Sequence, residues 1–181
     1  VKQSMNPPFH VPFAVKIAGR EEVLSIRNVE ETFRFPVKEK PVPSLLRGFS
    51  APVVLNYPYT EDDLLHLMAH DDDAFSRWEA AQRLAADIVL KKRGVPSEAF
   101  LKAAKNLLLD PDPAFAAEAL TLPAESFLAE QLAVVDPDAL HAARNALRKA
   151  LGRALAGEFA ARYRALAEAM AVAYGSPLTP A

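Results

Sequence analysis

The chain has 181 residues, 51% of them hydrophobic and 24% charged, which is enough apolar material for one large or two small cores and too much for a disordered or fibrous polypeptide. Its net charge of −2 gives no overall pull toward nucleic acid or an anionic membrane, and no uncharged apolar run approaches the ~20 residues that span a bilayer. The absence of cysteine excludes disulfides, thiolate metal sites and a cysteine nucleophile; it fits a reducing compartment, so a soluble, cytoplasmic protein is expected.

Val1-Lys2-Gln3-Ser4-Met5 has neither an initiator methionine at position 1 nor an apolar signal core, and reads as the start of an excised piece. From Phe9 to Ile17 every odd residue is apolar, the period-two pattern of a half-buried strand, with Pro12 requiring an edge or a non-bonded position. Ala18-Gly19-Arg20-Glu21 turns into a second strand over Val23 to Ile26. A third is expected over Thr32 to Phe35, closed by Pro36, and a fourth at Val53, Leu55 and Tyr57 after a proline-punctuated loop from Lys40 to Ser44. Four strands fall short of the ~7 of an immunoglobulin-like sandwich, but their spacing resembles part of one.

Helical spacing takes over at Glu61. Leu64, Leu65 and Met68 form a short stripe; Phe75, Trp78, Ala81, Ala85 and Ile88 form a longer one, on which Trp78 is expected as a buried anchor. Gly94 and Pro96 end this helix, and Ser97 is the expected N-cap of the next. Similar punctuation recurs at Asp110-Pro111-Asp112-Pro113, Leu122-Pro123 and Asp136-Pro137. The last stretch carries Leu140, Leu147, Leu151, Leu155, Phe159, Tyr163, Leu166 and Met170, with Gly152 and Gly157 as weak points, and reads equally as one long helix or two. Ser176 to Ala181 is a proline-broken tail. The fold expected is α+β in segregated halves: a partial immunoglobulin-like β-sandwich over 1–58, then an all-α, solenoid-like helical domain over 59–181.

The chemistry-bearing residues argue against a self-contained enzyme. The histidines are His10, His66, His70 and His141, and none is followed by glutamate, so the zinc motif His-Glu-x-x-His is absent. His66 and His70 stand four apart near Asp71, Asp72 and Asp73, but zinc requires three or four pre-positioned ligands, and a histidine ending one helix before an acidic turn that caps the next accounts for both features. The aspartate triplet also lacks the alternating ligands and central glycine of a calcium loop. Ser44, Ser50, Ser76, Ser97, Ser126 and Ser176 lie in no Gly-x-Ser-x-Gly elbow, and the chain has no phosphate-binding glycine motif. Arg144, Arg148, Lys149, Arg153, Arg162 and Arg164 make the last stretch basic, yet they fall on several faces among Asp138, Glu158 and Glu168, which reads as a solvated helix face rather than a nucleic-acid surface. No catalytic, cofactor-binding or metal residue is assigned.

The segments PVPSLLRGFSAPV (41–53), LMAHDDDAFSRWEAAQRLA (67–85), AAEALTLP (116–123) and VVDPDALHAARNALRKAL (134–151) are collinear, and together they resemble the bacterial aminopeptidase N family of zinc-dependent alanyl aminopeptidases. The resemblance covers most of the chain from about Phe9 and implies the later strands of that family's β-sandwich domain and the start of its C-terminal helical superhelix. It implies a parent in which a zinc-bound water, activated by the motif glutamate, attacks the first peptide bond while acidic residues hold the free α-amine. Neither the zinc motif nor the Gly-x-Met-x-Asn amine motif has a counterpart here, so zinc belongs to the parent and not to this segment. The segment's role would be that of an inter-domain spacer and part of the cavity wall, its partners the parent's catalytic and N-terminal domains and, through them, peptide substrates. The alternative is an autonomous helical protein-interaction module with no enzymatic role.

Overall fold

The computed structural model describes residues 1–3, 7–92 and 94–174, so the tail expected at 176–181 lies outside the described residues. A small antiparallel sheet is followed, among the described residues, by seven α-helices. The chain divides into two compact units, Val1–Ala80 and Ala81–Ala181.

In the first unit β1 (Val11–Ile17) and β2 (Arg20–Ile26) form a hairpin, and β3 (Ser44–Leu45) pairs with the other side of β1, giving an open sheet in the order β2-β1-β3. The hairpin turns on two left-handed residues, Ala18 at φ 49° and Gly19 at φ 79°, the combination whose twist matches the strands it joins. Direct partners across the ladder share a face. One face therefore carries Phe13 opposite Leu24, and Val15 between Glu22 and Leu45. Phe13, Val15, Leu24 and Ile26 are buried there with Leu46 and Ala51.

Pro12 sits in the central strand, opposite Ser25. The Ala14 amide donates to Ser50 Oγ, away from β2, so by the period of two the Pro12 nitrogen also faces away from β2. The β1–β3 pairing reaches only Val15 and Lys16, so the Pro12 nitrogen points to a side of β1 that has no neighbouring strand at that position, and the proline sits on a locally open edge as its sequence allowed.

Two strand expectations are corrected. Residues 32–35 and 53–57 carry no strand assignment, although their burial alternates as expected: Phe33, Phe35, Val53 and Leu55 pack against the core, and Val54 points to solvent. Alternation reports which side of an extended chain is covered, not whether its backbone joins a ladder. The third strand is instead the dipeptide Ser44–Leu45, which begins at the residue read as the end of the loop.

Helix α1 (Glu61–His70) opens with a full capping box: Thr60 Oγ1 accepts the Asp63 amide at 3.1 Å, and Asp63 accepts the Thr60 amide at 2.9 Å. Leu64, Leu67 and Met68 form its buried side. Helix α2 (Ala74–Lys92) begins in this unit. Trp78 proves only partly buried, lying against Phe75 at 5.7 Å between ring centroids, whereas Ala81, Ala85 and Ile88 farther along the stripe are buried.

The second unit continues α2 and adds α3 (Glu98–Leu108), α4 (Pro113–Leu120), α5 (Glu125–Ala129), α6 (Pro137–Ala154) and α7 (Ala156–Tyr174). Ser97 caps α3 as expected, and Asp112 and Asp136 cap α4 and α6, each followed by proline at the first helical position, where a missing N–H is harmless. Helix α3 packs against α4, α6 and α7, and α6 against α5 and α7. Three successive carbonyls of the α4–α5 link are bound by side chains: Gln82 Nε2 donates to Thr121 O at 2.9 Å, and Arg144 donates to Leu122 O at 3.1 Å and to Pro123 O at 2.8 Å. The last apolar stripe is two helices, broken at Leu155 (φ −114°, ψ 20°) between the two glycines. Leu140, Leu147, Leu151 and Leu155 are buried, while Phe159, Tyr163 and Met170 on α7 are exposed. Among the described residues no helix is long and apolar enough to cross a membrane.

Candidate functional site: a charged joint on the sheet

The face of the sheet opposite the apolar core carries one row of polar residues. Lys16 on β1 lies directly between Glu21 on β2 and Ser44 on β3. All three reach a node centred on Arg47, in the short 3-10 turn Arg47–Phe49. The Arg47 side chain is only 8% exposed. Its Nε donates to Glu21 at 3.0 Å, one terminal nitrogen donates to Ser44 Oγ and to Asp71 at 2.9 Å each, and the other donates to Asp72 at 2.7 Å. Lys16 Nζ donates to the second Asp72 oxygen.

The aspartate triplet holds this node because it is a corner between two helices. Asp71 follows the last residue of α1, and its carboxylate also accepts the Asp73 amide at 2.9 Å. Asp73 precedes α2 and accepts the Ser76 amide at 2.8 Å, the N-cap role expected of it, together with the Gly48 amide at 3.0 Å. The Ser44 and Ser76 hydroxyls meet at 3.1 Å. The turn bearing Arg47 is tightly wound, with Leu46 at φ 59°, Gly48 at φ 59° and Phe49 at φ 51°, a left-handed conformation unfavourable for the two larger residues. Hydrogen bonds from Lys16 and then Arg47 hold the Asp72 carboxyl far below the usual carboxylate range. Burial opposes the charge on Arg47, but its bonds to Asp72 and Glu21 outweigh that, so it remains a cation at any accessible pH.

Every group in this constellation is engaged with another of the same chain. The Ser76 hydroxyl also donates to Asp73, at 2.8 Å, so that carboxylate serves the corner as well. His66 and His70 stack on one face of α1 with ring centroids 5.3 Å apart, both exposed. His10 lies elsewhere, 2.8 Å from Ser25 Oγ, and His141 lies between Glu125 at 2.9 Å and Asn145 at 2.6 Å. Among the described residues no three histidines, aspartates or glutamates are grouped so as to hold a metal ion. Of the basic residues near the C-terminus, Arg144 and Arg162 bind backbone carbonyls, whereas Arg148, Lys149 and Arg153 are exposed. Sequence reasoning singled out the aspartates as a cap and missed their partner. Arg47 is the only charged residue in the run from Pro41 to Pro58, a position where a cation needs a counterion.

The apolar face of the same unit borders a groove of about 1270 Å³, lined by residues including Phe13, Val15, Leu24, Ile26, Phe33 and Phe35. Phe33, Phe35, Val53 and Leu55 cover this side of the sheet in part, and the groove runs between them and the strands.

Comparison with known proteins gives consistent matches along most of the chain. A family model described as "Domain of unknown function (DUF3458_C) ARM repeats" matches residues 61–177, and one described as "Domain of unknown function (DUF3458) Ig-like fold" matches residues 1–58. Aminopeptidase N of Escherichia coli (strain K12) is 37% identical over 170 residues, covering 80% of this chain and 20% of that relative. Aminopeptidase N of Caulobacter vibrioides is 41% identical over 134 residues, covering 70% of this chain and 16% of the relative. The crystal structure of Legionella pneumophila aminopeptidase A in complex with aspartic acid superposes with a TM-score of 0.77 at 30% identity, over 89% of this chain and 21% of that one. The chain thus spans a fifth or less of the length of these curated relatives.

Proposed function

The chain belongs to the family described as DUF3458_C with ARM repeats, and we propose that it acts as a non-catalytic segment of a zinc-dependent aminopeptidase, part spacer and part cavity wall. It is a segment of an aminopeptidase-N-like chain, homologous to the Escherichia coli and Caulobacter enzymes. Residues 1–58 form part of the spacer between domains and residues 59–181 begin the helical wall, which limits the cavity to small peptides. Catalysis, zinc and recognition of the peptide amine belong to the catalytic domain of the parent, with which this segment packs in the cytoplasm. The observation that carries the reading is the collinear homology over most of this chain and only a fifth of the relative. The internally satisfied Arg47 node adds support, because its charges serve to join elements. His66 and His70 do not fit zinc, which takes three or four ligands, so no step of a reaction is assigned to them.

The test has two arms. Dialysed 181-residue chain is expected to retain no stoichiometric zinc and to release no alanine from alanyl substrates; turnover by this chain alone would overturn the reading. In the full-length polypeptide, loosening the helices with Gly94→Ala is expected to raise hydrolysis of long peptides relative to dipeptides, and an unchanged ratio would remove the wall role. A chain that is monodisperse, closed and encoded without any upstream protease would instead favour an interaction module.

A further inference from the structure

The sheet is joined to α1 through Tyr57-Pro58-Tyr59-Thr60, a short link with a central proline that has the look of a hinge, and both matched family models leave residues 59 and 60 between them. The geometry points to the opposite: we infer that this link is not a pivot, and that the sheet, α1 and the first turns of α2 move as one body, clasped by the Arg47 node.

Three independent sets of contacts support this. The link itself is held, since Tyr59 Oη donates to Pro43 O at 2.7 Å, the rings of Tyr57 and Tyr59 lie 4.5 Å apart, and Thr60 is fixed by the capping box of α1. The far end of α1 is held as well. The corner after it, Asp71 to Asp73, is bonded to β1 through Lys16, to β2 through the Glu21–Arg47 pair, and to the 3-10 turn through Arg47 and Gly48. Beyond the corner, Ser76 meets Ser44 of β3, and Phe75 packs on the sheet's core and against Phe49 at 5.2 Å. A helix fixed at both ends to one sheet cannot swing about either end. The division between compact units falls accordingly after Ala80, inside α2, and not at the proline. The charges of the clasp are matched: Arg47 is paired with Glu21, Asp71 and Asp72, and Lys16 with Asp72.

Residual dipolar couplings of backbone amides in the intact 181-residue chain test this without any substitution. One alignment tensor is expected to fit residues 11–26, 62–70 and 74–80 together, with order parameters at residues 57–60 equal to those of the flanking elements. Two distinct tensors for the sheet and α1, or a dip in order at the link, would overturn the inference. Arg47→Met supplies the causal arm: amide exchange in α1 is expected to rise on the order of a hundredfold, the equivalent of losing one partner of a buried ion pair, with a similar rise in β1 and β2. A rise confined to α1 would mean that the helix opens independently of the sheet, and a uniform rise including α3 to α6 would mean that the clasp acts on the whole chain; either result sinks the one-body claim.

Discussion

Arg47 and Asp71 are paired where water barely reaches: their side chains are 8% and 3% exposed, and the guanidinium donates to the carboxylate at 2.9 Å. Removing one partner of such a pair leaves the other buried and uncompensated, which typically costs ~3–5 kcal/mol. Arg47→Met should therefore lower unfolding free energy by about 3 kcal/mol in chemical denaturation. Arg47→Lys should recover only part of this, because a point ammonium cannot reach Glu21, Asp71 and Asp72 at once as the planar fork does. Equal stability of all three proteins would mean that the node is decorative.

The node also makes stability depend on acid. Asp72 is held below its ordinary pKa by Lys16 and Arg47, Asp63 by the Thr60 amide, and Glu158 by Lys105. A carboxyl whose folded pKa is depressed contributes stability that is fully present above the unfolded value of ~4 and is lost as pH falls through the folded value. The thermal midpoint should thus stay level from pH 7 to 5 and decline below about 4. Asp72→Asn should flatten that decline, and added salt should mimic part of its effect, since Asp72 is exposed. Identical acid profiles for wild type and Asp72→Asn would refute the assignment.

Gly94 occupies a position that no other residue fits. Its φ is +80°, and a Cβ there would lie 2.0 Å from the Ala143 carbonyl oxygen and 2.9 Å from Ala146 Cβ. Both the left-handed backbone and the close approach of the α2–α3 turn to α6 require glycine. Gly94→Ala should cost about 3 kcal/mol or more, combining backbone strain with overpacking. A melt shifted by only a degree or two would show that α6 yields easily.

The β1–β2 hairpin offers the converse experiment. Ala18 is left-handed at φ 49° in a two-residue turn that prefers asparagine followed by glycine, and Gly19 already fills the second place. Ala18→Asn should stabilise the chain by roughly 0.5–1 kcal/mol without changing the register. Loss of stability would mean that the Ala18 methyl group makes a contact worth more than the strain it incurs.

The sequence made some of these features legible and concealed others for physical reasons. Caps were readable because Ser97, Asp112-Pro113 and Asp136-Pro137 satisfy helix ends through their immediate neighbours. The face assignment of residues 32–35 and 53–57 was readable because burial follows period two, but their absence from the ladder was not, because strand pairing is decided by distant backbone. The Arg47 node was hidden for the same reason: Glu21, Arg47 and Asp71 are 26 and 24 positions apart, and each looks like a surface charge when read alone. Trp78 was expected to be buried on the strength of its stripe, yet an aromatic near the start of a helix covers only the layer its neighbours provide, here Phe75.

Incomplete cover predicts association. In the first unit Phe9 and Val54 are 59% and 97% exposed, and on α7 Phe159, Tyr163 and Met170 are 39%, 56% and 47% exposed. Surfaces of this kind drive contact between copies, and β2 presents a seven-residue edge with β1 on its other side. The isolated chain should self-associate with rising concentration, and the full-length polypeptide should do so less if its remaining domains cover these surfaces. Light scattering over a concentration series of both proteins measures the difference. Val23→Lys, which places a charge on the exposed side of the β2 edge, should weaken association of the short chain if the edge contributes, whereas Tyr163→Glu should weaken it if α7 does. A short chain that stays monomeric at high concentration and binds no hydrophobic dye would mean that these surfaces do not drive association, and the unit would then be complete by itself.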